Sequence, residues 1–382
     1  MSVLSAAARV ISAIARHGTA AVARAGVRPR AFLAAFSCAV FTAVPAEVHY
    51  PEVLPGKELV FPDDEGSHPA YRVEWWYVTG QLEDEQDNPL GFQVTFFRVR
   101  PGLAESNPSR FAPSQILFAH AAIADLRAGR LRHDQRAARA GFDLAYAREG
   151  RTDVRLDQWQ LREEAGAYHA LVQGEDFNIE LRLTPTQEPM LQGDRGYSRK
   201  GSAPRSASYY YSLPQLAVDG EIAIEGQRQR VTGRAWLDHE WSGDFVEDGA
   251  QGWDWVGINL DDGGSLMAFQ MRDKSGAERW AAATLRAADG TQQSFAPEAV
   301  EWTPGQRWRS PRTGAVYAVG WQLRIGDARY RVAPLINDAE LDSRATTGLV
   351  YWEGPVRLLR EDGSPAGSGY LEMTGYADRI GF

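Results

Sequence analysis

The sequence of 382 residues has a single cysteine, Cys38, and lacks an excess of positive charge. One thiol cannot form an internal disulfide, so cysteine usage neither requires nor excludes an oxidising compartment. The formal net charge is −9 at pH 7. Because nucleic-acid binding needs a positive face that neutralises phosphates, this charge argues against a nucleic-acid partner.

The usual catalytic signatures are also missing. The chain contains no G-x-S-x-G elbow, no H-E-x-x-H pair, no phosphate-binding loop and no dinucleotide fingerprint. A serine-esterase type of hydrolase therefore has no evident nucleophile, and a secreted hydrolase ranks third among the functions considered. A metal held by His120, His239 and Asp238 would require three distant residues to meet by coincidence. The sequence predicts neither a metal nor a cofactor.

Long hydrophobic runs are absent, and the one short run lies near the N-terminus. Residues 1–30 contain arginine but no acidic residue, and the apolar stretch "AFLAAFSCAVFTAV" (31–44) follows. A membrane span needs about 20 apolar residues, so this stretch is too short for one. The order is typical of a secretory signal with cleavage after Ala46. We expect residues 1–46 to be a targeting segment and the mature protein to be periplasmic or secreted.

From residue 47 onward, the sequence alternates between apolar and polar residues and is interrupted by turns. Examples are "YRVEWWYVTGQL" (71–82) and "GFQVTFFRVR" (91–100), and turns such as "DDGG" separate later stretches. Period two predicts strands, and short turns join antiparallel neighbours. Few stretches have a helical pattern. An all-β fold of barrels or sandwiches is predicted, with a domain boundary near "DHEWSGDF".

The stretch "RAWLDHEW" (234–241) places three ionisable residues in succession between two tryptophans. On a strand, Asp238 and Glu240 share a face with Trp236, while His239 lies with Trp241 on the other face. Such charges are costly to bury without a purpose, which favours a functional interior. The alternatives are a hydrogen-bonded core histidine and a strand end whose charges extend into solvent.

Glu74 in "VEWWYVTG" has two interpretations. It either points outward and forms a weak surface pair with Arg72, or it points into a cavity with Trp76 beside it. Buried, unpaired glutamate is rare, which favours the surface pair.

Three further positions are candidates for a site. Asp254 in "GWDWVGINL" shares a strand face with aliphatic residues, where burial would raise its pKa and allow it to donate a proton. A salt-bridged structural aspartate is the equal alternative. His120 lies in an apolar strand, as structural histidines often do. Tyr210 lies in "SASYYYSLPQL", in which at least one phenol should face an enclosed space.

Ten motifs follow one another along the chain: "EWWYVTG", "GFQVTFFR", "FAHAAIAD", "LQGDRGYSRKG", "ASYYYS", "AWLDHEWSG", "GWDWVGINLDDG", "LMAFQMR", "YWEGPVRL" and "GSGYLEMTGY". Together and in this order, they resemble the carotenoid 1,2-hydratase (hydroxyneurosporene synthase) superfamily, and in particular its secreted AttH-like branch of "predicted secreted hydrolases". The resemblance covers roughly residues 57–382.

The resemblance implies two tandem lipocalin-like antiparallel β-barrels, expected at residues 57–238 and 239–382. It also implies a hydrophobic isoprenoid or lipid-like ligand and a hydration reaction that needs no cofactor. Protonating an alkene gives a carbocation, which aromatic faces stabilise before water adds. Asp238 is the first choice for the acid and Asp254 the second, and His239 or Glu240 could position the water. The expected ligand-binding residues are Glu74, Trp76, His120, Tyr210, Trp241 and Trp255.

The AttH-like branch also implies a function of another class. Its genes are commonly associated with lipid-handling membrane transporters, so the protein could bind a lipid without catalysis and contact the membrane only peripherally. In that case, the acids and His239 would only hold the two barrels together. An enzyme would return its ligand heavier by one water or rearranged, whereas a binding protein would return it unchanged.

Overall fold

The computed structural model describes residues 48–377, apart from residues 104, 106 and 110. The predicted targeting segment, 1–46, lies outside the described residues. Within them, the helical segments are two short 3₁₀ turns, Asp63–Glu65 and Pro297–Ala299, and strands form the rest of the regular structure. No helix in this part of the chain is long and apolar enough to cross a membrane. The prediction of an all-β fold is confirmed.

The first sheet has 13 antiparallel strands. Its strands are Val73–Asp84 (β1), Pro89–Val99 (β2), Ile116–Asp125 (β3), Arg130–Arg139 (β4), Ala145–Ala147 (β5), Asp153–Leu156 (β6), Trp159–Glu164 (β7), Ala167–Gln173 (β8), Phe177–Thr184 (β9), Met190–Leu191 (β10), Tyr197–Arg199 (β11), Ala207–Ile224 (β12) and Gln227–Ser242 (β13).

The second sheet has 10 strands, and a separate two-stranded sheet pairs β19 with β20. These strands are Ala250–Leu260 (β14), Ser265–Asp273 (β15), Glu278–Arg286 (β16), Gln292–Phe295 (β17), Val300–Pro304 (β18), Trp308–Arg309 (β19), Val316–Tyr317 (β20), Trp321–Ile325 (β21), Ala328–Pro334 (β22), Glu340–Asp342 (β23), Val350–Arg360 (β24) and Pro365–Met373 (β25).

Each large sheet curls into a nearly closed, lipocalin-like barrel. In the first barrel, β1 lies between β2 and β13, and in the second barrel β14 lies between β15 and β25. Short hairpins connect most neighbours, which is why the pairing is antiparallel throughout. Alternate residues of each strand fill the barrel interior, as the buried and exposed positions of β9 illustrate.

The two sheets meet along β13 and β14. The first sheet ends at Ser242 and the second begins at Ala250, so the expected boundary between residues 238 and 239 falls inside β13. The charged triplet continues the strand instead of ending it. The inner face of β13 packs in the first barrel, and its outer face packs against the second barrel.

A separate apolar cluster lies between the barrels and includes Tyr77, Tyr210, Trp236, Trp255 and Tyr370. Close backbone approach shapes this cluster. A Cβ atom at position 257, now a glycine, would lie 2.5 Å from the indole of Trp255. The missing side chain therefore leaves room for that indole at the interface.

Candidate active site between the barrels

A cavity of about 130 Å³ lies between the two barrels. Its walls come from both sheets, because each of the strands β1, β2, β13, β14, β24 and β25 contributes side chains from its outer face. Most of the lining is apolar. The aromatic members of the lining include Trp75, Phe97, Phe118, Trp253, Trp255 and Phe269.

Asp238 lies in the wall of this cavity and is 3% exposed. Its Oδ1 accepts hydrogen bonds from Ser212 Oγ at 2.5 Å and from Trp236 Nε1 at 2.6 Å, and its Oδ2 accepts one from the Tyr210 hydroxyl at 2.7 Å. Burial raises the pKa of Asp238 to about 7, although these three hydrogen bonds act to lower it. A substantial fraction of the carboxyl groups therefore carries a proton near neutral pH.

The Tyr210 hydroxyl connects this acid to the second barrel. It accepts a hydrogen bond from Trp255 Nε1 at 3.1 Å and donates one to Asp238. Trp255 comes from β14, so the indole, the phenol and the carboxyl form a chain across the seam between the barrels. The arrangement can hold a proton beside the apolar cavity.

A charged pair lies next to this chain. Lys200 Nζ is 2.9 Å from Glu240 Oε1, and the ammonium also lies over the rings of Tyr210 and Phe269 at 4.6 and 4.4 Å. Ser208 Oγ donates a further hydrogen bond to Glu240. Both charged groups are nearly buried, so the pair supplies a carboxylate and an ammonium within an apolar wall.

Two more carboxyl groups face the cavity from the second barrel. Glu353 of β24 and Glu372 of β25 are directly opposite neighbours, so both side chains lie on the same face of the sheet. Burial raises the pKa of Glu353 well above its usual value, and the neighbouring Glu372 adds to this shift. Burial also raises the pKa of Glu372 to about 8. The Tyr77 hydroxyl donates to Glu353 Oε2 at 3.1 Å.

His120 forms another polar point on the cavity wall. Its Nδ1 lies 2.8 Å from the Tyr351 hydroxyl and its Nε2 lies 2.9 Å from Thr346 Oγ1. The Thr346 hydroxyl donates to Gln135 Oε1, so it accepts from Nε2, and Tyr351 donates to Nδ1. Burial lowers the pKa of His120 to about 3, so the imidazole is neutral.

Glu74 lies in the interior of the first barrel and is fully buried. Its Oε2 is 2.7 Å from Arg98 Nε, and its Oε1 is 2.7 Å from His68 Nδ1 and 3.1 Å from His239 Nε2. The surface pair with Arg72 is therefore wrong. The reason is that the interior supplies a buried guanidinium from the neighbouring strand β2, which compensates the carboxylate.

The aromatic candidates beside Glu74 belong to the same barrel interior. Trp76 stacks on the ring of His239 with centroids 4.6 Å apart, and Trp241 stacks on His68 at 3.7 Å. Tyr211 contacts the other ring nitrogen of His239 at 3.2 Å. The rings of Trp76, Trp241 and His239 are therefore part of the packed, hydrogen-bonded core of the first barrel.

Among the described residues, His68, Glu74 and His239 could together hold a metal ion. Their ligand atoms already contact one another, and the Arg98 guanidinium lies 2.7 Å from the second carboxylate oxygen. That positive charge opposes a cation at this position. The donor types fit a metal, whereas the electrostatics of the cluster do not.

Asp254 points into the second barrel. It is fully buried, and its Oδ2 accepts hydrogen bonds from Arg272 Nε at 2.6 Å and Gln270 Nε2 at 2.7 Å. Burial raises its pKa, while Arg272 lowers it. Asp254 does not line the cavity, because it lies on the opposite face of β14 from Trp255. The salt-bridged alternative describes its surroundings, and the role of second acid has no geometric basis.

The structure thus distributes the sequence candidates among three places. The cavity contains Asp238, Glu240, His120, Tyr210 and Trp255; the first barrel interior contains His239, Glu74, Trp76 and Trp241; the second barrel interior contains Asp254. The residues inside the first barrel and inside the second barrel do not line the cavity. His239 cannot position a water beside Asp238, because adjacent strand residues point to opposite faces.

The sequence interpretation missed several polar residues of the cavity. Glu353 and Glu372 lie in the motifs "YWEGPVRL" and "GSGYLEMTGY", in which a single acid interrupts an apolar strand. That interruption was the available signal. Lys200 lies in the loop after β11, and nothing in its local sequence indicates that it pairs with Glu240.

Comparisons with known proteins identify relatives of the whole β-structure. A family model described as AttH-like matches residues 52–376. A crystal structure assigned to AttH from Nitrosomonas europaea is 51% identical, with a TM-score of 0.80 over 85% of this chain and 99% of that one. Kievitone hydratase from Nectria haematococca is 14% identical, with a TM-score of 0.64 over 87% and 97%. No protein with a curated description matches significantly.

Proposed function

Because this chain belongs to the AttH-like family, we propose that it binds an unsaturated isoprenoid or lipid-like molecule between its barrels and hydrates a carbon–carbon double bond. The coarser part of this statement, a hydratase-like or ligand-binding fold, has direct support from the match to kievitone hydratase. The reaction and the ligand are our proposal. An exported location and a transporter partner are further expectations, which rest on the N-terminal pattern and the family.

One observation carries the proposal. Asp238 is a buried acid with a raised pKa, and it lies in the wall of a cavity lined mainly by aromatic and aliphatic side chains. Alkene protonation requires a proton donor that is shielded from bulk water. The carbocation that forms requires nearby electron-rich groups. Both requirements meet at this position.

Each cavity residue has its own role in the proposed hydration. The Asp238 carboxyl transfers its proton to one alkene carbon, which breaks the O–H bond and forms a C–H bond. The ring faces of Trp255 and Phe269 stabilise the cation. Glu240 orients a water molecule, whose oxygen bonds to the cationic carbon. The proton that this water releases returns to the Asp238 carboxylate, so the cycle consumes one alkene and one water.

Replacing the acid tests this proposal. Purified protein is incubated with prenylated phenols and terminal isoprenoid alkenes, and the products are analysed by mass spectrometry. We expect wild-type protein to give a product heavier by one water and Asp238→Asn to lose turnover by at least about 100-fold. Asp254→Asn is the control, because it changes an equally buried aspartate that lies outside the cavity. It leaves Arg272 uncompensated and should lower the stability, but the folded protein should keep its turnover. Unchanged turnover in a folded Asp238→Asn variant would contradict the proposal.

A non-catalytic binding protein is the second candidate, and the same aspartate favours it. Three hydrogen-bond donors on Asp238 stabilise its charged form and hold its oxygens in fixed positions. Under this function, the cavity would retain a hydrophobic molecule without reaction. Recovery of every offered compound at its original mass, from a protein that demonstrably binds it, would support binding alone.

A further inference from the structure

One polar group that the proposed reaction leaves unused is Glu353. Its side chain is fully buried at the cavity wall, and its Oε1 has no hydrogen-bond partner among the described residues. Among the described residues, the only hydrogen-bond partner of the carboxyl group is the Tyr77 hydroxyl, at 3.1 Å from Oε2. Leaving a buried polar atom without a partner costs about 1–3 kcal/mol, so a position of this kind calls for an explanation.

Glu353 and Glu372 cannot both be ionised. They are opposite neighbours on β24 and β25, Glu353 is fully buried and Glu372 is partly buried, and no salt bridge joins either carboxyl group to a cation among the described residues. Two adjacent carboxylates in a water-poor place repel each other, and the protonated acid relieves this repulsion. The proton lies on Glu353, because it is the more deeply buried of the two and its pKa is raised well above the usual value by burial and by Glu372; Glu353 is therefore a neutral carboxylic acid with one O–H.

One O–H group of Tyr77 or Glu353 is left without a hydrogen bond in this arrangement. Tyr77 and the neutral Glu353 have two O–H groups between them, and a single hydrogen bond joins them. If Tyr77 donates to Oε2, the acid proton has no further hydrogen bond among the described residues. If the acid donates to Tyr77, the phenol proton has none in this part of the chain. In both arrangements, one O–H of the pair is available to the cavity.

We propose that the Tyr77–Glu353 pair donates this hydrogen bond to a carbonyl oxygen of the ligand, which makes the ligand an unsaturated ketone or similar carbonyl compound instead of a pure hydrocarbon. This deepens the proposed function, on which it rests for the location of the site. The donor pair lies close to the acid, because Tyr77 and Asp238 are direct partners on β1 and β13. Directly opposite residues have Cβ atoms about 5 Å apart, so the side chains of Tyr77 and Asp238 leave the same wall of the cavity side by side.

A matched pair of probes tests the assignment. β-Ionone carries a conjugated ketone, and its methylene analogue has the same shape with CH₂ in place of the oxygen. Binding is measured by quenching of tryptophan fluorescence, since Trp75, Trp253 and Trp255 line the cavity. We expect wild-type protein to bind the ketone up to about tenfold more tightly, which is the range of one neutral hydrogen bond.

Variants of Tyr77 and Glu353 show whether that preference comes from the pair. The double variant Tyr77→Phe/Glu353→Leu removes both O–H groups and should bring the ratio of the two dissociation constants to about one. Glu353→Gln keeps both a donor and an acceptor and should retain the preference. Equal binding of the two probes by wild-type protein, binding of neither, or an unchanged preference in the double variant would each overturn the proposal.

A second measurement needs no variant and stays informative if the double variant does not fold. The infrared carbonyl stretch of bound β-ionone should shift to lower frequency than in hexane, because a donated hydrogen bond weakens the C=O bond. An unshifted band would contradict the assignment. If the preference for the ketone persists in Asp238→Asn and no hydration occurs with any protein, the carbonyl site stands and only the hydratase proposal fails.

Discussion

At the scale of single residues, two buried carboxyl groups respond to burial in opposite ways. Burial alone would raise the pKa of Glu74, but Arg98 and the histidines His239 and His68 hold it well below its usual range. Asp238 has only neutral hydrogen-bond donors, and burial raises its pKa to about 7. The presence or absence of a buried guanidinium therefore separates a structural carboxylate from a candidate acid.

The pKa of Asp238 predicts the pH dependence of turnover. The proton donor must be protonated, so kcat/KM should be constant well below pH 7 and fall about tenfold per pH unit well above it. The fall reflects one ionisation, because deprotonation of Asp238 removes the acid. Initial rates measured between pH 5 and 9 test this, and Asp254→Asn should show the same profile. A rate that rises through pH 7 would contradict the role of Asp238.

Glu74→Gln should destabilise the first barrel strongly. The variant leaves the buried Arg98 without its compensating charge, and removal of one partner of a buried ion pair typically costs about 3–5 kcal/mol. Urea unfolding followed by tryptophan fluorescence measures the loss. Arg72→Ala removes the guanidinium that the surface interpretation would pair with Glu74, and it should cost less than about 1 kcal/mol. Equal losses in the two variants would contradict the buried network.

At the scale of secondary-structure elements, strand period explains which part of the site was predictable. The alternation of "RAWLDHEW" correctly separates Asp238 and Glu240 from His239, since side chains of a strand alternate strictly. It does not say which face meets a cavity. That depends on partners distant in sequence, such as Arg98 for Glu74 and Tyr77 for Glu353.

The position of Asp254 illustrates the same limit. Its neighbours in sequence indicate correctly that it is buried among aliphatic residues, and they leave open a reactive or a salt-bridged role. Arg272, which forms the salt bridge with Asp254, comes from the neighbouring strand β15. Strand pairing of this kind follows from the register of the sheet, which local periodicity does not determine.

A side chain at position 257 on β14, now a glycine, should change the shape of the cavity. A Cβ at this position would lie 2.5 Å from the Trp255 indole and 3.1 Å from Trp236. Gly257→Ala should therefore displace the indole, cost about 1–3 kcal/mol and weaken the binding of β-ionone. Thermal unfolding and fluorescence titration measure the two effects. Unchanged stability together with unchanged binding would show that the indole packs differently.

At the scale of the whole molecule, the barrels share a core instead of merely touching. The apolar cluster between them draws Tyr77 and Trp236 from the first barrel and Trp255 and Tyr370 from the second. Polar contacts cross the same seam, since Gln81 Nε2 donates to the carbonyl oxygens of Val356 and Gly369, both at 2.8 Å. The cavity exists only while both barrels are folded and joined.

This shared core predicts cooperative unfolding of the two barrels. Scanning calorimetry of the wild-type protein should show a single transition, because separation of the barrels would expose the aromatic cluster to water. Gln81→Leu removes both of these hydrogen bonds across the seam and should lower the transition temperature. Two well-resolved transitions in the wild-type protein would show that the barrels are energetically independent and would weaken the case for a site between them.

The central claim is that the Asp238 proton reaches a carbon atom of a ligand held between the barrels. This proton exchanges with solvent, so hydration in D₂O should form one carbon–deuterium bond at the carbon next to the new hydroxyl-bearing carbon. Mass spectrometry and NMR of the product measure that label directly. We predict one deuterium on carbon with wild-type protein and no product with Asp238→Asn. Unchanged ligand, or a hydrated product without deuterium on carbon, would contradict acid-initiated hydration.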